Sequence, residues 1–218
     1  MTLLKTRKRT LRVRGIARRE LLLSAARTLL EERELDEISL GDVAARAGVP
    51  KGSAYHFYED IKDLYVALLA LTEEEVLRIH GLPITEGVRE WPEVVRILIR
   101  RGVAFYNSNR PSRQLQIGPK TPPDLKLRDR RSDLALGAIY QQQIHAFFEL
   151  PDLADASQVF FRAVEIADLM FSLSVLESGK ITEAMGAEAE RATIAYLATY
   201  FPAKLRRRRR PLVVNLPH

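Results

Sequence analysis

The residues most able to do chemistry in this chain cluster around position 53. A helical pattern over residues 51–58 places on one side the set Lys51, Gly52, Ser53, Tyr55 and His56. Ammonium, hydroxyl and imidazole groups donate hydrogen bonds to phosphate oxygens and to base edges. A glycine among them lets the backbone approach another molecule closely, because it has no side chain. The set therefore predicts contact with a nucleic acid.

A second helical pattern precedes this one and positions it. Its apolar face is formed by Leu40, Val43, Ala44 and Ala47. Ser39 is placed to cap that helix, with Asp42 three residues on as in a capping box. Gly48 can adopt the left-handed conformation that ends a helix. Two short helices joined by such a corner indicate a helix-turn-helix, whose second helix enters the major groove of DNA.

Residues 14–68 resemble the N-terminal domain of the TetR family of bacterial transcriptional regulators. The matching features are the segment LLLSAARTLLEER, Ser39, Asp42-Val43-Ala44, Ala47-Gly48-Val49, Lys51-Gly52-Ser53, Tyr55 and Asp63-Leu64. The resemblance implies an all-α fold, in which a three-helix DNA-binding domain precedes a helical bundle for ligand binding and dimerisation. We expect DNA contacts from Ser39, Lys51, Gly52, Ser53, Tyr55, His56 and Lys62, and from Arg9 and Arg12.

The sequence departs from the family pattern at several positions. Glu34 stands where a glycine usually ends the first helix, so that turn must close differently. Ala54 replaces an inward leucine, and Phe57 is the neighbour that can fill the space. Ile61 replaces a phosphate-contacting lysine, and Lys62 follows one residue later, about 100° around the helix.

Charge is concentrated at the two ends of the chain. Residues 1–19 contain eight basic residues and no acid, and residues 204–218 contain six and none. Since the net charge is +6, the part between them carries −8. Basic ends on an acidic body predict a polyanionic partner. We interpret residues 1–13 as a flexible arm that contacts DNA; for Arg206–Arg210, DNA contact and a role in solubility remain open.

Helical patterns also fill the rest of the chain, and no alternation typical of strands occurs. The predicted helices cover 15–32, 60–80, 91–109, 124–150, 154–178 and 181–201, besides the two short ones. The predicted domains are a basic arm over 1–13, a DNA-binding domain over 14–66, a regulatory and dimerisation domain over 67–203, and a basic tail over 204–218. The helix from Asp60 continues across the domain boundary and is placed to act as a lever.

The last two helical segments are apolar on more than one face, as in helices that are buried on more than one side. In the TetR family the equivalent pair forms a four-helix dimer interface, so the resemblance implies a homodimer through residues 154–201. Ala167 and Ala195 are the small residues expected at its centre. Two recognition helices are needed for the two half-sites of a palindromic operator. A monomer with a sufficient core is the alternative.

The sequence contains no catalytic constellation. Its four histidines are far apart, it has no cysteine, and it contains no HExxH, GxSxG, P-loop or GxGxxG motif. We interpret Asp129 and Asp133, which stand beside arginines, as members of surface ion pairs. We predict a protein that is not an enzyme and needs no cofactor or metal. No apolar run is long enough to span a membrane. The absence of cysteine fits a reducing cytosol, and we expect a cytoplasmic protein that is nucleoid-associated when bound to DNA.

A small-molecule pocket is predicted between helices of the second domain. Such pockets are mainly apolar with a few polar anchors. The candidate lining residues are Phe105, Tyr106, Tyr140, Gln141, His145, Phe148 and Phe161. Aromatic residues at helical spacing also suit a plain core, and the sequence does not indicate a ligand class.

These observations predict a sequence-specific DNA-binding regulator, and the resemblance implies a repressor that a small-molecule inducer releases from its operator. Two alternatives remain open at this point. One is a ligand-independent regulator of the same fold. The other is a helical enzyme or adaptor in which the helix-turn-helix is incidental.

Overall fold

A computed structural model describes residues 2–85 and 87–212, with side chains described from residue 15 onwards. The chain divides into two compact units, residues 1–70 and residues 71–218. The division falls inside one helix, four residues beyond the boundary predicted from the sequence. Within the described residues the secondary structure is helical, apart from one isolated bridge between Phe148 and Arg207. The predicted all-α fold is confirmed.

The first unit begins with a helix, α1, that runs over Thr2–Glu32. The prediction of a flexible arm is therefore wrong for residues 2–13, because their backbone is helical. This stretch contains no glycine or proline and consists largely of leucine, lysine and arginine, which are good helix formers. Gly15 does not interrupt the helix. The side chains of Arg9 and Arg12 lie outside the described residues.

The chain leaves α1 through a short 3-10 turn, Leu35–Glu37. Glu34 caps this turn, and its backbone N–H donates to Glu37 Oε2 at 3.2 Å. Arg33 donates a hydrogen bond to the backbone oxygen of Glu37. A polar turn of this kind closes the corner without a left-handed glycine.

The helix-turn-helix consists of α2, Leu40–Ala47, and α3, Lys51–Phe57. The predicted caps are confirmed. Ser39 Oγ accepts from the Asp42 N–H at 3.1 Å, and Asp42 Oδ2 accepts from the Ser39 N–H at 2.8 Å. Gly48 has φ 63° and ψ 25°, the left-handed conformation that ends α2.

The core of the first unit fixes the orientation of α3. Ala54 and Tyr58 are buried, and α1 contributes Leu22, Ala26 and Leu30 to the same core. The next helix, α4, runs over Ile61–His80 and adds Leu64, Tyr65 and Leu68. Tyr65 Oη donates to the backbone oxygen of Leu35 at 3.0 Å, which ties α4 to the 3-10 turn.

Helix α4 starts with a side-chain cap. Asp60 Oδ1 accepts from the Asp63 N–H at 2.9 Å. Asp63 Oδ2 in turn accepts from the N–H of Glu59 at 3.2 Å. The helix then continues through the division between the two units, which falls after Ala70.

The second unit is a helical bundle. Its helices are α5 over Trp91–Ser108, α6 over Arg110–Ser112, α7 over Pro123–Phe147, α8 over Ala156–Ser178 and α9 over Glu183–Ala198. A short π-helix over Arg113–Ile117 follows α6. The long helices agree with the predicted ones to within three residues at each end. Gly179 ends α8 with φ 68°.

Helices α7 and α8 approach each other closely at Gly137. A Cβ atom built there would lie 2.9 Å from the backbone carbon of Phe160 and 2.9 Å from the backbone nitrogen of Phe161. Real Cβ atoms do not come this near to backbone atoms. Glycine at this position therefore sets the distance between the two helices.

The basic C-terminal segment lies against the end of α7. Arg208 N–H donates to the backbone oxygen of Phe147 at 2.8 Å, and Glu149 N–H donates to that of Arg206 at 2.9 Å. The Arg208 side chain also donates to the backbone oxygen of His145 at 2.8 Å. Part of the arginine run thus has a structural role in the bundle.

In the described part of the chain, no helix is long and apolar enough to cross a membrane.

Candidate nucleic-acid interface and ligand site

The two sides of α3 differ sharply in exposure. Ala54 and Tyr58 are buried, while Lys51, Tyr55 and His56 are exposed. The Tyr55 ring, 49% exposed, is a large aromatic group held in solvent. The buried side anchors the helix on its own domain, so the polar side is presented outward. This is the arrangement that a recognition helix requires.

Lys51 and Tyr55 lie together at the start of this outward face. The Lys51 ammonium is 5.9 Å from the centroid of the Tyr55 ring, within the range of a weak cation–π contact. A side chain at Gly52 would meet no atom of the described chain within 4 Å. The glycine is therefore not required by packing inside this domain, and its lack of a side chain leaves the backbone open to close approach.

Ser53 and Phe57 occupy the borders of the exposed face. Ser53 is half-buried and follows Gly52 on the outward side. Phe57 is half-buried, and the site of a Cβ on Gly15 lies 3.9 Å from its ring. Phe57 therefore packs toward α1, as expected from the small Ala54 beside it.

The remaining predicted DNA contacts have different surroundings. Lys62 is exposed in the first turn of α4. Ser39 is exposed, but its hydroxyl donates to Asp42 Oδ2 at 2.6 Å. A hydroxyl has one proton to donate, so Ser39 would have to release Asp42 before donating to a phosphate.

The structure does not bring the seven predicted ligand residues together around one cleft. Four of them are buried in the core of the second unit: Phe105, Tyr106, Tyr140 and Phe148. Gln141 and Phe161 are half-buried, and His145 is exposed beside Arg208. Partial burial lowers the pKa of His145, and the positive charge of Arg208 lowers it further. These residues stay predicted ligand contacts, while their observed role is mainly packing.

A cleft of about 530 Å³ lies in the same unit, and sequence reasoning missed it. It is bounded by the π-helix, α7, α8 and Tyr196 of α9. Asp129 and Asp133 form part of its lining, and each is only 7% exposed. Their interpretation as surface ion pairs is wrong, because both face the bundle. The signal was present: they occupy the buried stripe of α7 that also holds Leu125, Leu136 and Tyr140.

Burial changes the protonation of these carboxyl groups. It raises the pKa of Asp129 to about 7, assisted by Glu73 and Glu165 and opposed by the hydrogen bond from Gln116. It raises the pKa of Asp133 to about 10, assisted by Asp168, Asp129 and Glu165. Burial also raises the pKa of Asp168, assisted by Asp129 and Glu165. The surroundings of the cleft therefore favour the protonated forms of these carboxyl groups.

The carboxyl groups of the cleft predict an unusual pH dependence of stability. A carboxyl whose pKa is raised on folding binds its proton more tightly in the folded state, so stability is lost as pH rises toward the folded pKa. Burial lowers the pKa of His80 to about 4. This histidine therefore reduces the stability of the folded state only when the pH falls below about 6.5, the ordinary pKa of histidine. We expect the free energy of unfolding to fall between about pH 6.5 and 8, by ~1 kcal/mol per pH unit for each carboxyl that stays protonated.

Urea denaturation at the two pH values measures this loss. The double variant Asp129→Asn, Asp133→Asn should show a much flatter dependence, and Asp124→Asn, exposed on the same helix, should behave as wild type. A wild-type stability that rises over this interval would contradict the assignment.

No group of His, Asp or Glu in the described residues is arranged to hold a metal ion.

The fold and the exposed face of α3 define a class of protein: an all-α DNA-binding regulator with a helix-turn-helix. The chain belongs to the TetR family. Residues 22–68 match the model of the bacterial regulatory proteins of the tetR family, and residues 89–201 match that of the tetracyclin repressor-like C-terminal domain. No curated protein matches the chain in sequence.

Solved structures show the same fold. A TetR-family transcriptional regulator from Streptomyces coelicolor is 25% identical, with a TM-score of 0.64 over 84% of this chain and 99% of that one. A TetR transcriptional regulator from Rhodococcus sp. RHA1 is 19% identical, with a TM-score of 0.59 over 83% and 95%. The fatty acid degradation regulator FadR from Bacillus halodurans is 14% identical, with a TM-score of 0.58 over 82% and 94%. The last two share the fold alone.

Proposed function

We propose that this protein is a homodimeric repressor that binds a palindromic operator and leaves it when a small molecule binds the second unit. The observation that carries the proposal is the outward face of α3, where Lys51, Tyr55 and His56 are exposed opposite the buried Ala54 and Tyr58. Membership of the TetR family supports it.

A gel shift with the DNA upstream of the protein's own gene tests the proposal directly. We expect a discrete complex that survives an excess of unrelated DNA, because specific binding exceeds non-specific binding by several orders of magnitude. Binding that unrelated DNA competes away completely would overturn it.

Two neighbouring residues of α3 should have different tasks. Tyr55 is placed for a phosphate contact, so Tyr55→Phe should weaken binding to all sequences alike, because phosphate contacts carry no sequence information. His56→Ala should instead change the preference at one base pair by ~1–3 kcal/mol. Affinities for the operator and for a set of single-base variants measure both effects. Equal losses on every sequence for both variants would refute this division.

The basic N-terminal stretch should contribute electrostatic affinity. Deleting residues 1–12 removes five basic residues, Lys5, Arg7, Lys8, Arg9 and Arg12. If three or more of them bind phosphates, the deletion should flatten the slope of log affinity against log salt concentration. The expected change is ~0.9 for each phosphate contact that is lost. Titrations at several salt concentrations give the slope. An unchanged slope would show that this stretch stays in solvent.

The proposed dimer interface lies on the exposed sides of α8 and α9. Leu169, Leu173 and Leu176 are 54%, 38% and 62% exposed, and they repeat along one side of α8. The exposed apolar residues of α9 are Ala195 and Ala198, and Tyr200, which follows the end of this helix, is exposed as well. Apolar groups of this extent in water favour burial against a second copy. Ala167 is buried in the core of its own chain and belongs to the bundle, not to the proposed interface.

Release by a ligand requires a physical connection between the two units. Helix α4 supplies one, because it is continuous from Ile61 to His80 and passes through the division at Ala70. A ligand shifts the equilibrium between binding-competent and incompetent dimers only by its differential affinity for the two. Operator DNA must then weaken ligand binding by the same factor, typically ~5–150-fold.

A further inference from the structure

The cleft beside α7 has an acidic inner surface. Asp129 and Asp133 lie four residues apart on α7 and are almost fully buried, and Glu165 and Asp168 of α8 line the same cleft. Burying a carboxyl group is costly unless it is neutralised or hydrogen-bonded. Two buried and two half-buried carboxyl groups in one cleft of about 530 Å³ form a polar interior that packing alone does not explain.

A second, independent feature of the cleft is an unused hydrogen-bond acceptor. Gln116 of the π-helix is 6% exposed, and its Nε2 donates to Asp129 Oδ1 at 3.1 Å. Its Oε1 is buried and accepts no hydrogen bond from the described residues. Buried polar atoms are normally satisfied, so each exception calls for an explanation such as a missing partner. An amide oxygen is an acceptor, so the missing group is a donor.

The cations of the cleft stand at its rim. Arg130 Nε pairs with Glu165 Oε2 at 3.1 Å, and the arginine side chain is 64% exposed. Arg162 is exposed on α8, and Lys126 is half-buried on α7 one turn from Asp129. These cations are more exposed than Asp129 and Asp133, and Gln116 is the side chain that hydrogen-bonds to the inner Asp129.

The inner surface is bordered by apolar side chains as well. Ile117, Ile166 and Leu169 line the cleft next to the carboxyl groups, and Tyr196 contributes an aromatic ring. A molecule that carries N–H donors and a positive charge at one end and an apolar body at the other would match both parts of this lining.

We propose that this cleft is the effector site and that its ligand is a protonated organic amine. The inference rests on the proposed function, since it names the ligand class for that function's regulatory unit. A primary ammonium group has three N–H donors, which match acceptors on Asp133, Gln116 and Glu165. Its alkyl or aryl body would contact the aliphatic wall.

Binding of an ammonium group has a proton balance that follows from the site. The amine enters as its cation, and a neutral carboxyl group that pairs with it releases one proton to solvent. Affinity should therefore increase between pH 6 and 8, where simple alkylamines stay protonated. The charged groups facing the inner carboxyls from neighbouring elements are Glu73, Lys126, Arg130, Arg162, Glu165 and Asp168.

Calorimetry on the full-length protein tests the ligand class with three probes of one shape: hexylamine, hexan-1-ol and hexanoate. At pH 8 we expect hexylamine to bind at least ~10-fold more tightly than either of the others, because only its head group donates charge-assisted hydrogen bonds. Binding should release protons, seen as a heat that depends on the ionisation enthalpy of the buffer. Equal affinities, preference for hexanoate or no binding of hexylamine would overturn the inference.

Variants place the amine in this cleft. Asp133→Asn should lower hexylamine affinity at least ~10-fold, while its fold is retained because the substitution removes a buried acid. Gln116→Leu is the second variant and should lower it in the same direction. Asp124→Asn, an identical change at an exposed position of α7, is the matched control and should bind as wild type. Unchanged affinity in both cleft variants would place the amine elsewhere.

Operator binding separates this inference from the proposed function. If the upstream DNA binds specifically but hexylamine does not bind the protein, the amine inference fails and the repressor proposal stands. If hexylamine binds in the cleft but saturating amine leaves operator affinity unchanged, the effector role is overturned. Reciprocal weakening of amine and operator by the same factor is the expected result.

Discussion

Replacing Leu173 by glutamate should give a folded monomer in place of the proposed dimer and lower operator affinity at least ~100-fold. Leu173 stands in the middle of the exposed apolar stripe of α8, between Leu169 and Leu176. A carboxylate there would be buried without a partner when two copies associate, which is costly. Each monomer would then bind one half-site, without the ~10²–10⁴-fold gain in affinity that comes from linking two binding modules.

Sedimentation and gel shift measure the two consequences of this substitution, and circular dichroism checks the fold. Leu127→Glu is the matched control: the same change at a leucine that is 58% exposed on α7, outside residues 154–201. It should leave the oligomeric state and operator affinity unchanged. A Leu173→Glu protein that remains a dimer would move the interface away from α8.

Replacing Gly137 by alanine should destabilise the second unit by ~2–3 kcal/mol, although alanine is the better helix former. The new methyl group would meet backbone atoms of Phe160 and Phe161 at 2.9 Å. Backbone atoms cannot rotate away as a side chain does, so α7 and α8 would have to separate. The packing that surrounds the cleft would then be disrupted as well.

The matched control for Gly137→Ala is Gly186→Ala in α9. A Cβ there would lie 3.4 Å from a methyl group of Val103, which is an ordinary contact with a movable side chain. We expect Gly186→Ala to be neutral or slightly stabilising. Chemical denaturation of both variants gives the difference, and equal stabilities would show that the α7–α8 contact tolerates a methyl group.

The parts of the fold that depend on local sequence could be predicted well. Ser39, Asp42 and Gly48 determine the ends of α2 through contacts within a few residues, so the caps follow from residue types and spacing. The burial of Ala54 and Tyr58, four residues apart, follows from the period of the helix in the same way. The N-terminal stretch was missed because its charge suggested a flexible arm, although its leucines and basic residues favour a helix.

The burial of Asp129 and Asp133 follows the helical period of α7, but their partners in the candidate ligand cleft do not follow from local sequence. Asp129 is next to Gln116 of the π-helix, and Asp133 is near Asp168 of α8, far along the chain. Neighbouring arginines in sequence made these acids look like surface residues, but both acids lie on the buried stripe of α7, and Arg130 pairs with Glu165 of α8. The burial of Ala167 within its own chain was missed for a related reason: a helix that is apolar all round does not show which side faces a partner.

Selection of binding sites from a pool of random double-stranded DNA tests the central claim most directly. For the full-length protein we expect enrichment of an inverted repeat whose half-site centres lie about one helical turn, ~10 bp, or a multiple of it apart. The same selection with His56→Ala should change one symmetric pair of positions in that repeat. Failure to enrich any sequence, or enrichment of a single unpaired motif, would contradict a dimeric regulator that recognises its operator through α3.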